Sequence, residues 1–76
     1  MSEVPSDLSY TKIIAALKRD GWMVIRQKAT HIHLRKWVDG HWARIMIPAH
    51  KPVKRTTLKK QLNRAGISLD RFLELL

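Results

Sequence analysis

The stretch Gln27-Lys28-Ala29-Thr30-His31-Ile32-His33 sets two histidines beside a lysine and a hydroxyl, and no carboxylate occurs between Gly21 and Val38. Imidazole exchanges protons readily near neutral pH, which is what a general acid or base must do in a transition state. Among cations, that chemistry suits a substrate carrying phosphate. Lys28 could stabilise negative charge developing on a phosphorane-like transition state. Residue type alone leaves plainer roles open: His31 as a strand-edge histidine bonded within its turn, His33 and Lys28 as solvated side chains, His50 as a loop hydrogen-bonding group. The four histidines have no cysteine beside them, and the six acidic residues are scattered. Neither a metal site nor a cofactor is expected, and a two-metal nuclease is disfavoured.

The elements that would position these groups follow from hydrophobic spacing and turn chemistry. Ser9 is a suitable N-cap for a helix with Tyr10, Ile13, Ile14 and Leu17 on one stripe, ending at Asp20 with Gly21 as its left-handed terminator. Trp22 to Gln27 is rich in branched and aromatic residues and predicts a first strand, with Lys28-Ala29-Thr30 as the turn out of it. Two further strands, His31 to Trp37 and Trp42 to Ile47, flank Asp39-Gly40, the dipeptide favoured in a two-residue type I′ hairpin loop. That loop predicts the pairs Val38 with His41, Trp37 with Trp42, Arg35 with Arg44, Leu34 with Ile45, and Ile32 with Ile47. Alternation then puts Ile32, Leu34, Ala43, Ile45 and Ile47 on a face packed against helices, and His31, His33, Arg35, Trp37, Trp42, Arg44 and Met46 on the other. The Trp37–Trp42 pair could stack on bases or simply stabilise the hairpin.

Pro48 removes a ladder donor and Pro52 keeps the basic connection Ala49 to Arg55 irregular. Thr56 is expected to cap a second helix with Leu58, Leu62 and Ala65 inward, Lys59, Lys60, Asn63 and Arg64 outward, and Gly66 as terminator. Ser68 would cap a last short helix whose Leu69, Phe72, Leu73 and Leu76 seal the core, with Ile67 and Phe72 as a hydrophobic staple. The expected fold is α+β: α-β-β-β-α with a short C-terminal helix, a three-stranded antiparallel sheet carrying helices on one face. Seventy-six residues fit one domain, led by a flexible N-terminus over 1–8, with a simple core that no disulfide reinforces. No apolar run is long enough to span a bilayer, so a cytoplasmic protein is expected.

Fifteen Lys and Arg against six Asp and Glu give a net charge of +9. Such an excess attracts polyanions, RNA foremost. Lys51, Lys54, Arg55, Lys59, Lys60 and Arg64 run through the connection into the second helix as the candidate RNA-binding residues.

Leu17-Lys18-Arg19-Asp20-Gly21-Trp22, Arg26-Gln27-Lys28-Ala29-Thr30-His31, Ile47-Pro48-Ala49-His50, and Thr57-Leu58 through Gln61 and Ala65-Gly66-Ile67-Ser68 to Phe72-Leu73 occur in an order that resembles the HicA toxins. These are small ribonucleases of toxin–antitoxin pairs with a double-stranded-RNA-binding-domain-like fold, and the resemblance runs from Ser9 to Leu76. It implies a metal-independent endoribonuclease, an mRNA interferase, with His31 as the catalytic residue and His50, in a Pro-x-His element that the family also shows, as a second proton-transfer group or phosphate ligand; Lys28, Thr30 and His33 stand beside His31 as further candidate assistants. It also implies a cognate HicB-type antitoxin that masks the toxin. Ala29 and Thr30 stand where the family has glycine and serine, and Thr56 where it has glycine. The alternative from a different class is a non-catalytic RNA-binding module using the same basic face.

Overall fold

The computed structural model describes residues 4–76. Its elements are α1 (Tyr10–Arg19), β1 (Met23–Lys28), β2 (His31–Val38), β3 (His41–Pro48), α2 (Arg55–Ala65) and α3 (Leu69–Leu75). The strands form one antiparallel sheet in the order β1-β2-β3. Helices cover one face of it, so the expected α+β arrangement is the observed one.

The β2–β3 hairpin has the register read from Asp39-Gly40, including Trp37 opposite Trp42 and Ile32 opposite Ile47. Asp39 and Gly40 both have positive φ, 48° and 83°, as a type I′ loop requires. Strand alternation sorts the faces as expected. Ile32, Leu34, Ile45 and Ile47 are buried under the helices with Ile13, Ala16 and Leu17 of α1, Leu58 and Leu62 of α2, and Phe72 and Leu75 of α3. Trp22, just before β1, is also buried in this core.

Several boundaries differ from the sequence reading. Lys28 belongs to β1, and the turn is the two residues Ala29-Thr30. Lys54, not Thr56, is the N-cap of α2, so Thr56 lies within the first helical turn; no side chain caps this end. Ser9 is the N-cap of α1 by position, but its hydroxyl pairs with that of Thr11 at 2.9 Å rather than with the helix backbone. Ser68 does cap α3, accepting from the Arg71 amide at 3.1 Å. Leu75 rather than Leu76 closes the core, because the helix phase turns Leu76 to solvent. Val53 is fully buried in the otherwise basic connection, an isolated apolar residue with no periodicity to announce it.

β1 is the exposed strand. All six of its residues are exposed, because α1 and α2 lie over β3 and the middle of the sheet. A bulge between Val24 and Arg26 shifts its register, leaving Arg26 opposite His33 and Lys28 opposite His31. At the other edge α2 approaches β3 closely, and the buried Gln61 side-chain oxygen accepts from the Met46 amide at 3.2 Å. Asp20, at the C-cap of α1, joins three elements through Lys36 of β2 at 3.1 Å and Arg71 of α3 at 3.4 Å.

Candidate functional site

His31 is the first residue of the central strand and is exposed. Its lateral neighbours are Lys28 on β1 and Pro48 on β3. Because His31 alternates with the buried Ile32 and Leu34, its side chain belongs to the sheet face that no helix covers. The preceding turn is held tightly: Ala29 has φ 54°, and the Thr30 carbonyl accepts from the Ala49 amide at 2.6 Å. A residue with positive φ is needed at the first position of two-residue primed loops, which is where glycine usually serves. Here alanine takes that conformation.

The same hydrogen bond brings His50 into the neighbourhood. Ala49 is tied to Thr30, the His50 amide bonds the Pro48 carbonyl at 2.8 Å, and the His50 carbonyl accepts from the Tyr10 amide at 3.1 Å. The β1–β2 turn, the β3–α2 connection and the start of α1 therefore meet at one end of the molecule. That end collects Lys28, Thr30, His31 and His50, all exposed. His33 lies two residues further along β2, roughly 7 Å from His31 by strand rise, and is half-buried between Arg26 and Met46.

The basic residues divide. Lys54 and Arg55 start α2 next to this end, and the Arg55 Nε donates to the Val4 carbonyl at 2.8 Å. The Lys51 ammonium lies 5.8 Å from the centre of the Tyr10 ring. Lys59, Lys60 and Arg64 are exposed on α2, on the helical side of the molecule rather than on the His33 face. The sequence-derived patch is thus continuous with the histidine end at Lys51, Lys54 and Arg55 and departs from it along α2.

Sequence reasoning did not single out Arg26 and Arg44 as site residues. Both stand beside His33, and together with Ile25, Leu34 and Ile45 these three line a depression of ≈ 320 Å³. The Asp39-Gly40 loop could have placed Arg44 there, but the bulge that aligns Arg26 with His33 has no signature in the residues of β1. Among the described residues no three His, Asp or Glu side chains gather as a ligand set for a metal ion, and no helix is long and apolar enough to cross a membrane.

The order α-β-β-β-α with a short third helix, and helices on one face of a three-stranded antiparallel sheet, defines the α+β class expected from the sequence. Within that class the match is specific: the family model of the HicA toxin of bacterial toxin–antitoxin systems covers residues 10–67. The chain belongs to the HicA toxin family and is a toxin of a toxin–antitoxin system. No curated protein and no solved structure matched it.

Proposed function

We propose that this chain is a metal-independent endoribonuclease that cleaves mRNA, with His31 as its catalytic residue. The observation that carries the proposal is the placement of His31: exposed at the end of the central strand, beside Lys28, in a sheet face without carboxylates. Ribose supplies its own nucleophile. Attack of the 2′-hydroxyl on the adjacent phosphorus forms a 2′,3′-cyclic phosphate and breaks the bond to the 5′-oxygen of the next nucleotide. One group must take the 2′-hydroxyl proton and another must protonate the departing 5′-oxygen.

His31 performs one of these transfers. His50, held near the same turn through Ala49 and Thr30, is the preferred partner for the other, ahead of His33 further along the strand. Lys28 is placed to offset charge that builds on the phosphoryl oxygens, where a fixed cation is most effective. Thr30 adds a hydroxyl beside the same phosphate. Lys51, Lys54, Arg55, Lys59, Lys60 and Arg64 neutralise further phosphates, which sets affinity without reading sequence.

A cytoplasmic toxin of this kind must be masked. A HicB-type antitoxin with an acidic surface could cover His31 directly, because the histidine is not recessed in a cleft and complementary charge steers such a partner. The test is cleavage of a defined RNA in excess chelator by wild type and by His31→Ala, with folding checked by circular dichroism. Cleavage by wild type and its loss in the folded variant is expected. Equal cleavage by both proteins removes His31 from the chemistry, and intact RNA with both points to a non-catalytic RNA-binding module.

A further inference from the structure

The uncovered face of the sheet carries more than histidines. Trp37 and Trp42 face each other near the hairpin tip, edge to face at 5.1 Å between ring centres. The pair stays open to solvent, with Trp37 58% exposed and Trp42 40%. The Arg35 guanidinium lies 4.0 Å from the centre of the Trp42 ring, so one face of Trp42 is occupied and the guanidinium is held against it. Arg35 has no ion-pair partner among the described residues, and its Nε is buried without a hydrogen bond. Between these aromatics and His31 lies the depression lined by Arg26, His33 and Arg44. From His31 to Trp37 the strand runs about 20 Å by its rise per residue, and no carboxylate occurs on β1, β2 or β3.

We propose that this face is a binding platform for unpaired RNA, with the phosphates over Arg26, His33 and Arg44 and the bases stacked on Trp37 and the Arg35–Trp42 pair. Alternation of cations with open aromatic surface is what single-stranded nucleic acid requires: charge follows the backbone, and any base has a π face to stack. A duplex cannot use it, since its bases are already stacked. The inference deepens the ribonuclease reading and rests on it for the choice of RNA. It assigns the substrate as a single strand leading from the cleaved phosphate at His31 along β2 toward the hairpin tip. It also separates two surfaces, because Lys59, Lys60 and Arg64 lie on the helical side.

The experiment measures binding of a labelled single-stranded oligoribonucleotide by fluorescence anisotropy, with a blunt RNA duplex of the same length in parallel. All proteins carry His31→Ala, so a failure of the catalytic reading does not affect the outcome. Trp37→Ala is expected to weaken single-strand binding about tenfold, the order of one base stack removed, and Trp37→Phe to retain most of it. Arg44→Gln, which leaves the aromatic pair intact, should weaken it severalfold. Duplex binding should be unchanged by all three. Unaltered single-strand affinity in folded Trp37→Ala and Arg44→Gln overturns the proposal. So does equal weakening of both RNA forms. If these variants bind RNA normally but lose association with an antitoxin protein, the face is a protein-docking surface and the proposal is likewise rejected.

Discussion

Ala29 is the residue where local conformation and residue type disagree most. Its φ of 54° costs an L-residue about 1–2 kcal/mol, and the turn keeps it because Lys28, Thr30 and His31 are all fixed by strand pairing or by the bond to Ala49. Ala29→Gly removes that strain but loosens the unfolded chain by roughly 0.4–1 kcal/mol. The net expectation is stabilisation of up to about 1.6 kcal/mol, seen in a thermal melt as a rise of up to roughly 6–13 °C; a lower Tm would mean that the turn is not strained. The residue order showed glycine to be missing here, but nothing in it indicated that alanine would adopt the glycine conformation. His31 stood out as a proton-transfer group among cations, but only the family resemblance set it above a strand-edge histidine bonded within its turn. Its nearness to His50 was not legible, since it depends on one backbone hydrogen bond between residues 30 and 49.

At the scale of elements, turn and cap chemistry is read most safely where a side chain satisfies the backbone itself. Ser68→Ala removes the acceptor for the Arg71 amide and should cost about 1 kcal/mol, measured by urea denaturation. Ser9→Ala should cost less, because its hydroxyl bonds Thr11 instead of capping α1. The Asp39-Gly40 loop dictated the β2–β3 register and hence the faces of both strands, which is why the sheet could be sorted from sequence. β1 was harder to place. Its bulge follows from pairing with β2 rather than from its own residues, and its hydrophobic Met23, Val24 and Ile25 remain exposed. Gln61 was hidden for a related reason: it lies on the inward side of α2 with Leu58 and Leu62, and only the approach of β3 gives its amide a partner. Gln61→Leu keeps the volume but leaves the Met46 amide without its acceptor, an expected loss of about 1 kcal/mol for this partly buried bond, with an unchanged denaturant m-value.

For the whole molecule, a net charge of +9 is distributed over two surfaces rather than one. The helical side carries Lys59, Lys60 and Arg64, and the sheet side carries Arg26, Arg35 and Arg44. Replacing Lys59 and Lys60 together by glutamate should lower RNA affinity at low salt. It should also flatten the dependence on log salt by up to about 0.7 for each phosphate of a single strand that is no longer neutralised. An unchanged slope would place RNA elsewhere. The layered arrangement explains why charge counting could announce a polyanion partner while leaving its path over the protein open. Only the positions of the helices reveal which face of the sheet is free.

The placement of His31 beside Lys28, at the turn held by Thr30 and Ala49, is tested most directly by RNA cleavage in excess chelator. Wild type should produce fragments ending in a 2′,3′-cyclic phosphate, and folded His31→Ala should lose at least about a hundredfold in rate, the lower range for removal of a general acid or base. Cleavage by His31→Ala at the wild-type rate would contradict the account.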